Sequence, residues 1–395
     1  MANGVIKRPL ADRSAQEWGF GRSTVVVPYV VLALVLAASL LAFRGIDYRD
    51  PYFSNMDFVK YRVMAAAAPN VSASVPSPFA YRIAGPWLAG MLPLSDALAF
   101  RLLNGGAAVL LLLGLYSWMR ASGVSAKVAA LMTGVLAFSK ATLGFLLWDY
   151  FQLNDTITLA LLCWTVVALM RRRWLLAWAL LLVSVLFRES LLIMIPAVVW
   201  LAWESRETRR TKLICAAGVC LMVVEYLVLH HAIPTLGGAP LSTAVRAYAF
   251  KYLRPGNLFR LVFNTYVPLS LVPLLFWRQS LAWLDSHRWL GVLCVSTLLA
   301  SLGGGDVERL LAPVFLVVLV MSAGILELES RWPGRVVAAT LLAAVLASPS
   351  RTVTSLSVPS SVSVALSVAC TCAVAAMWVL SKRRPAAQAD LRSAP

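Results

Sequence analysis

Two groups of charged residues lie inside apolar runs of the sequence, where a charge is costly. Arg188 and Glu189, in the stretch "LFRESL", interrupt one long apolar run. Asp306, Glu308 and Arg309, in "GGGDVERLLAP", interrupt another. A charged side chain at the centre of a bilayer costs about 2.5–3.5 kcal/mol on insertion scales. Each group needs pairing or water, and we expect it to bind a ligand or substrate; the alternative is an ion pair that only fixes helix register.

A third candidate is the stretch "MDFVKYRVMAAAA". We predict a helix that begins near Asp57 and places Lys60 and Tyr61 on the same face, at the i, i+3, i+4 spacing. A helix with such a face could contribute charged groups to a site. The alternative is an amphipathic helix that rests on lipid headgroups.

Tyr81 and Arg82 suit a phosphate or a sugar at the membrane surface, since a guanidinium binds phosphate through a rigid fork of donors. Arg82 could equally extend its charge to lipid headgroups. Arg101 and Asp149 add polar groups at a similar predicted depth. The chain has no Walker loop, no dinucleotide-binding glycine pattern and no HExxH pattern, so ATP-driven transport and zinc hydrolysis lack support.

The elements that must position these residues are membrane-spanning helices. Hydrophobic residues make up 60% of the 395 residues, charged residues only 13%, and the mean hydropathy is +0.77. Ordinary globular chains carry about a quarter charged residues. We therefore predict an all-α polytopic integral membrane protein. Its net charge of +17 is explained by Lys and Arg in cytoplasmic loops, so we expect membrane lipids and no nucleic acid as partners.

Hydropathy and loop charge predict about twelve transmembrane helices, some of them short or re-entrant. Residues 24–380 would form a single transmembrane domain with an outer loop at 44–95. The basic tails at 1–23 and 381–395 would both be cytoplasmic, because Lys and Arg accumulate on that side. The predicted location is the cell membrane, the inner membrane of a bacterial envelope.

The run that contains "LFRESL" is flanked by basic residues at both ends, so both ends should be cytoplasmic. One straight helix from Trp174 to Trp203 would extend about 45 Å, well beyond the roughly 30 Å hydrocarbon core. Two antiparallel arms of about 14 residues each would stop inside the membrane, with the charged residues at their apex. A hairpin is the favoured interpretation, and a single helix kinked at Pro196 is the alternative.

The sequence resembles the GT-C superfamily of polytopic membrane glycosyltransferases. The stretch "DFVKYRVMA" is similar to the Asp-x-x-x-Tyr pattern that opens the first-loop helix of such enzymes. The stretches "PFAYRIAGPWLAGMLP", "FRES" and "GGDVERLLAP" look like segments of bacterial membrane proteins near this superfamily. The resemblance extends over the whole predicted topology. The outer loops are shorter than in the family, and we expect no counterpart of the large C-terminal soluble domain that several members carry.

The resemblance implies transfer of a sugar from a polyprenyl-phosphate donor to an envelope glycan or lipid acceptor on the outer side. It implies that Asp57 acts as general base or orients the acceptor hydroxyl, with Asp47, Asp50 and Glu189 as competing carboxylates. In some members a divalent cation assists, so a metal is a further expectation without assigned ligands. The phosphate would be bound by Arg82, Arg188 and Arg309, and the other candidate substrate-binding residues are Lys60, Tyr81, Arg101, Asp149, Asp306 and Glu308.

A transporter or flippase for a lipid-linked or small anionic substrate is the main alternative. Short helical arms and intramembrane charges also line transport pathways. A pseudo-twofold repeat of spans would favour this function. The sequence contains only a weak internal similarity of this kind, between "RESLLIMIP" and "ERLLAP". A structural subunit of a membrane assembly is a third class, which no particular residue supports.

Overall fold

The computed structural model describes residues 45–54, 56–205, 207–237, 271–301, 307–330, 332–347 and 360–381, with a few positions between 33 and 39. Within these residues the regular structure is helical and no strand occurs, so the all-α prediction is confirmed for them. Short 3₁₀ helices cover Pro51–Phe53, Phe79–Tyr81 and Glu189–Ile193, and a π-helical turn covers Lys140–Gly144. The α-helices are α1 Asp57–Ala67, α2 Ala84–Gly90, α3 Asp96–Ala121, α4 Ala126–Ala137, α5 Phe145–Trp148, α6 Leu153–Met170, α7 Trp174–Phe187, α8 Met194–Glu204, α9 Arg209–Ala232, α10 Leu271–Leu275, α11 Trp277–Ser286, α12 Arg288–Ser301, α13 Val307–Leu310, α14 Ala312–Glu329, α15 Pro333–Ala347 and α16 Ser360–Ser381.

Helix α3 shows how the sequence defines the ends of an element. Asp96 lies in its first turn and Arg120 in its last turn, where each charge opposes the partial charge of the helix end. Gly123 follows with a φ of 84°, which glycine adopts without steric cost, and the chain turns there towards α4. Helix α3 is long and apolar enough to cross a membrane.

Four described helices are long and apolar enough to cross a membrane, namely α3, α6, α9 and α14. The number rises to five if α4 and the segment 142–148, which meet at 47°, form one bent span. The described residues thus fit a multi-pass membrane protein. The prediction of about twelve transmembrane helices is not confirmed, because several apolar runs are broken into helices too short to span, and the first predicted span lies mostly outside the described residues.

The centre of the bundle is formed by α3, α6 and α7, which pack against one another in that order. Glycines let the helices approach closely. A Cβ atom on Gly114 of α3 would lie 2.9 Å from the Cβ of Cys163 in α6, and one on Gly218 of α9 would lie 2.1 Å from the ring of Trp178 in α7. Small residues at helix contacts are typical of membrane bundles, where packing replaces the hydrophobic driving force.

The segments predicted to be outer loops meet at one end of the bundle. The amide of Ile46 donates to the carbonyl of Trp148 at 2.8 Å, and the amide of Ser77 donates to the carbonyl of Gly237 at 3.0 Å. The assignment of this end to the outside of the cell stays a prediction. We call it the loop face, and it comprises residues 45–95, 148–152, 188–190 and 233–237.

The segment 174–203 turns back on itself, as the hairpin interpretation predicts. Arg172, just before α7, forms an ion pair with Glu207, just after α8, although the two lie 35 residues apart. Helix α7 ends at Phe187, and Arg188 is extended, with φ −164° and ψ 127°. The chain then returns through a 3₁₀ helix into α8, so the charged apex lies at the opposite end of the hairpin from the ion pair.

A second apolar core supports the loop face. The ring of Phe151 stacks on Phe58 with centroids 5.3 Å apart, and it contacts Phe100 at 4.9 Å and Tyr150 at 4.5 Å. These rings join α1, α3 and the segment that precedes α6. The contacts fix the start of α1 relative to the start of α6, which positions the charged residues of both helices.

Candidate active site

Helix α1 begins at Asp57, so this carboxylate lies near the positive end of the helix dipole. Its Oδ1 accepts a hydrogen bond from Lys60 Nζ at 3.3 Å, which is the predicted i, i+3 pair. Lys60 also lies over the ring of Phe79, 4.0 Å from its centroid. The predicted helix and the Asp57–Lys60 pair are confirmed. Tyr61 is fully buried and contacts Arg82.

Arg309 joins two carboxylates that are distant in sequence. Its Nη2 donates to Asp57 Oδ2 at 3.2 Å, and its Nη1 donates to Asp155 Oδ2 at 3.4 Å. Asp155, in the first turn of α6, also forms an ion pair with Arg188 at the hairpin apex. Both Asp155 and Arg188 are buried. The two charged groups of the sequence therefore meet at one buried carboxylate.

Arg82 and Glu189 form a two-point ion pair across the loop face. Nη2 of Arg82 donates to Oε1 of Glu189 at 2.9 Å, and Nε donates to Oε2 at 3.3 Å. This parallel geometry is the stronger form of a charge-assisted hydrogen bond. The phenol of Tyr61 lies 3.5 Å from Nη1 of Arg82. Burial raises the pKa of Tyr61 while Arg82 opposes the shift, so this phenol keeps its proton at neutral pH.

Asn154 holds the backbone that carries Arg82. Its Nδ2 donates to the carbonyl of Arg82 at 3.0 Å, and its Oδ1 accepts from the amide of Gly85 at 3.1 Å. A Cβ atom on Gly85 would lie 2.1 Å from that oxygen, so only glycine fits. Because Asn154 is the neighbour of Asp155 in α6, this contact sets Arg82 and Asp155 relative to each other.

Ion pairs link five of these side chains, and the Arg82–Glu189 pair adjoins them at the hairpin apex, where Glu189 follows Arg188. We call all seven the charge cluster. It holds four cations and three anions, so its formal charge is +1. A cationic excess in a partly buried site attracts an anionic substrate group. The members are Asp57, Lys60, Arg82, Asp155, Arg188, Glu189 and Arg309.

A cavity opens beside the charge cluster, between α6, the hairpin apex, α12 and the α13–α14 segment. Asp155, Arg188 and Arg309 line its polar end, and most of the remaining wall consists of Leu, Ile, Ala and Pro side chains. Pockets of this kind, apolar with a few convergent polar groups, are typical ligand sites. This cavity fits an amphiphile with an anionic group at one end.

Other predicted site residues lie apart from the charge cluster. Asp47 and Asp50 are exposed in a turn, where Asp47 Oδ1 accepts from the amide of Arg49 at 3.1 Å. Arg101 lies over the ring of Tyr150, 4.6 Å from its centroid. Tyr81 stacks on His230 of α9, with centroids 3.7 Å apart. Asp306 lies outside the described residues, as does the side chain of Glu308.

Asp149 is fully buried at the end of α5, close to the charge cluster. Its Oδ2 accepts a hydrogen bond from Gln152 Nε2 at 3.1 Å. Burial raises the pKa of Asp149 to about 6, with Gln152 and Arg309 opposing the shift. Asp149 therefore titrates near physiological pH.

Sequence reasoning missed the central position of Asp155, which it did not select as a site residue. An acid in the first turn of a helix is an ordinary feature, since it stabilises the helix dipole. It also did not select Asn154, Thr142 or Thr158. The signal that could have found Asp155 is the run "QLNDT" of polar residues at the start of an otherwise apolar span.

Within the described residues, no group of three or more His, Cys, Asp or Glu side chains could hold a metal ion. The carboxylates of Asp57 and Asp155 are instead contacted by Lys and Arg side chains. This donor set does not fit the oxygen-rich shell that a divalent cation requires. We therefore derive no step through a metal.

Comparison with known proteins agrees with the architecture. The crystal structure of ArnT from Cupriavidus metallidurans in the apo state superimposes with a TM-score of 0.54 at 16% sequence identity, covering 91% of this chain and 70% of ArnT. ArnT is a GT-C glycosyltransferase, a 4-amino-4-deoxy-L-arabinose transferase. At this sequence identity the likeness shows a similar fold. No protein-family model matches the chain, and no curated protein matches it.

Proposed function

We propose that the protein is a membrane glycosyltransferase that moves a sugar from a polyprenyl-phosphate donor to an acceptor hydroxyl at the loop face. One observation carries the proposal: Arg309 lines the apolar cavity and also contacts Asp57, the carboxylate at the start of α1. A single side chain thus connects a place for an amphiphile with a candidate base. The GT-C-type fold supports the same function.

In the proposed reaction the polyprenyl chain lies in the apolar cavity and its phosphate lies at the charge cluster. The acceptor oxygen attacks the anomeric carbon, and the bond between that carbon and the phosphate oxygen breaks. Asp57 takes the acceptor proton or aligns the hydroxyl for attack. The products are the glycosylated acceptor and the polyprenyl phosphate.

The arginines stabilise the phosphate as its negative charge develops. Arg188 and Arg309 both form ion pairs with Asp155. A phosphate group at the cavity would share the same guanidinium groups, which are held in place by that carboxylate before substrate arrives. Positioned donors of this kind act without reorganisation during the reaction.

Arg82 pairs with Glu189, and its Nη1 also lies 3.5 Å from the phenol of Tyr61. Glu189 is only partly buried, with 26% of its side chain exposed. An exposed carboxylate at the loop face can accept hydrogen bonds from sugar or acceptor hydroxyls. We assign Glu189 to substrate orientation and keep Asp57 as the base.

The test uses purified full-length protein in nanodiscs, radiolabelled polyprenyl-phosphate sugars and an envelope lipid fraction as acceptor. An aminopentose donor belongs in the panel because ArnT transfers 4-amino-4-deoxy-L-arabinose. Asp57→Asn should lower the rate at least about 100-fold, as expected for a lost general base. Its matched control is Asp96→Asn, which removes the first-turn acid of α3, paired with Arg62 and outside the charge cluster. Equal activity of the wild type and Asp57→Asn would contradict the proposed role.

A further inference from the structure

Two of the four side-chain hydroxyls that line the cavity are buried and lack a hydrogen-bond partner among the described residues. Thr142, Thr158, Ser190 and Thr297 all line it. A threonine inside a helix normally donates to the carbonyl four residues earlier. Thr297 does so, donating to Leu293 at 2.8 Å. Its hydroxyl is therefore already used.

Thr158, in the middle of α6, behaves differently. It is 3% exposed, and its hydroxyl has no hydrogen-bond partner within the described part of the chain. Thr133 and Thr340 make the usual bond in their helices at 2.8 and 2.9 Å. Leaving a buried hydroxyl unpaired costs free energy, so its position at the cavity points to a ligand.

Thr142 repeats the observation on a different element. It lies in the π-helical turn between α4 and α5, is 3% exposed, and its hydroxyl likewise lacks a partner in the residues described. Single π-helical turns occur frequently at functional sites, because they re-aim side chains. Two separate segments therefore present a buried donor to the same cavity.

Arg188 supplies a third donor. Its Nη1 contacts Asp155, but its buried Nε has no hydrogen-bond partner among the residues that the structure covers. The side chain is 9% exposed and lines the cavity. A buried guanidinium nitrogen and two hydroxyls at one apolar cavity suit the oxygens of a phosphate.

We infer that Thr142, Thr158 and Arg188 Nε bind the phosphate of a lipid phosphate whose chain occupies the apolar part of the cavity. The inference rests on the proposed function and adds the residues that distinguish a phosphate head from a neutral alcohol. Thr142 and Thr158 are binding residues, and their hydroxyls donate to phosphate oxygens. Asp155, which pairs with Arg188, positions its guanidinium at the same cavity.

Thr165 provides a matched control on the same helix. It lies seven residues after Thr158 in α6, is fully buried, and its hydroxyl also has no partner in the described segments. It does not line the cavity. Thr165→Val therefore removes the same atom from the same kind of environment without touching the inferred site.

The experiment measures binding to the purified full-length protein in detergent by thermal-shift titration. The probes are farnesyl phosphate, farnesol and inorganic phosphate. We expect Thr142→Val and Thr158→Val each to weaken farnesyl phosphate binding about tenfold, as for a lost hydrogen bond to a charged group. Thr165→Val should bind as the wild type does, and Thr158→Ser, which keeps the hydroxyl, should retain binding.

Three outcomes would overturn the inference: unchanged binding in both valine variants at the cavity, an equal loss in Thr165→Val, or inorganic phosphate binding as tightly as farnesyl phosphate. The results that would overturn the proposed function differ from these three outcomes. Thr158-dependent binding of farnesyl phosphate without any sugar transfer would remove the transferase and leave the phosphate site. Sugar transfer by the wild type, together with normal farnesyl phosphate binding by the valine variants, would support the transferase and remove the inferred phosphate site.

Discussion

At the scale of single residues, Asp155 links two arginines of the charge cluster, because it forms ion pairs with both Arg188 and Arg309. Asp155→Asn removes the charge, which leaves the buried guanidinium of Arg188 without its carboxylate and Arg309 with Asp57 alone. Removing one partner of a buried ion pair costs about 3–5 kcal/mol. We therefore expect a large fall of the Tm in detergent together with loss of transfer.

The control for Asp155→Asn is the exposed pair of Arg62 and Asp96, in which both side chains are about 40% exposed. Surface pairs contribute about 0–1 kcal/mol, so Asp96→Asn should change the Tm little. Equal shifts of the Tm in the two variants would contradict the central position of Asp155.

Asp149 predicts a pH dependence of stability. Its pKa is raised by burial from 3.8 to about 6, so the folded protein holds a proton that the unfolded chain has lost. The contribution of protonated Asp149 to the free energy of unfolding is fully present below about pH 4 and is lost as the pH rises through about 6. The free energy of unfolding changes by about 3 kcal/mol over this range. We expect the Tm of Asp149→Asn to exceed that of the wild type above this range and to approach it below. A difference that does not change with pH would refute the prediction.

Several site residues could be predicted from sequence because a charge inside an apolar run is costly. Arg188, Glu189 and Arg309 were found in this way, and Asp57 was found from helical spacing and family resemblance. Thr142 and Thr158 give no such signal, because a threonine in a helix is ordinary until its hydroxyl is seen to lack a partner.

At the scale of elements, the contact between α2 and α6 positions Arg82. Gly85→Ala would place a Cβ atom 2.1 Å from Asn154 Oδ1. Asn154 would have to move, and its bond to the carbonyl of Arg82 would break. We expect a loss of about 1–3 kcal/mol, as for overpacking elsewhere, measured as a lower Tm, and a reduced transfer rate.

Gly106→Ala is the control, because no atom lies within 4 Å of a Cβ built at Gly106 of α3. Alanine in a helix interior is about 0.5–1 kcal/mol more favourable than glycine, so this variant should not lose stability. A Gly85→Ala protein as stable and active as Gly106→Ala would show that the contact does not position Arg82.

The hairpin at 174–203 was predictable because its basic flanks require both ends on one side, and the ion pair of Arg172 with Glu207 agrees. The number of spans was not predictable in the same way. Hydropathy marks apolar runs, but it does not show where a run breaks into short helices, as at Arg188 and at the turn that contains Thr142.

At the scale of the whole molecule, the two ends of the bundle should lie on opposite sides of the membrane. In a cysteine-free background, Ser54→Cys on the loop face should react with a membrane-impermeant maleimide in intact cells. Arg173→Cys, next to the hairpin's ion pair, should react only after permeabilisation, because basic clusters face the cytoplasm. The reverse pattern would place the site inside the cell and contradict an outward-facing reaction.

Short motifs of the sequence resemble the GT-C superfamily, and the fold is similar to that of ArnT over 91% of the chain. The choice between transfer and transport is a question about the substrate, since an apolar cavity with charges at one end serves either function. The charge cluster favours transfer because Arg309, which lines the cavity, also contacts the carboxylate of Asp57.

The most direct measurement follows a polyprenyl-phosphate sugar that carries one radiolabel on the lipid and another on the sugar, in nanodiscs and in sealed proteoliposomes with acceptor lipid. We predict that the two labels separate, because the sugar label moves to the acceptor and the lipid label is recovered as polyprenyl phosphate. We expect Asp57→Asn to abolish this separation. Labels that stay together while the lipid crosses between leaflets only in the presence of the wild-type protein would contradict glycosyl transfer and identify a flippase.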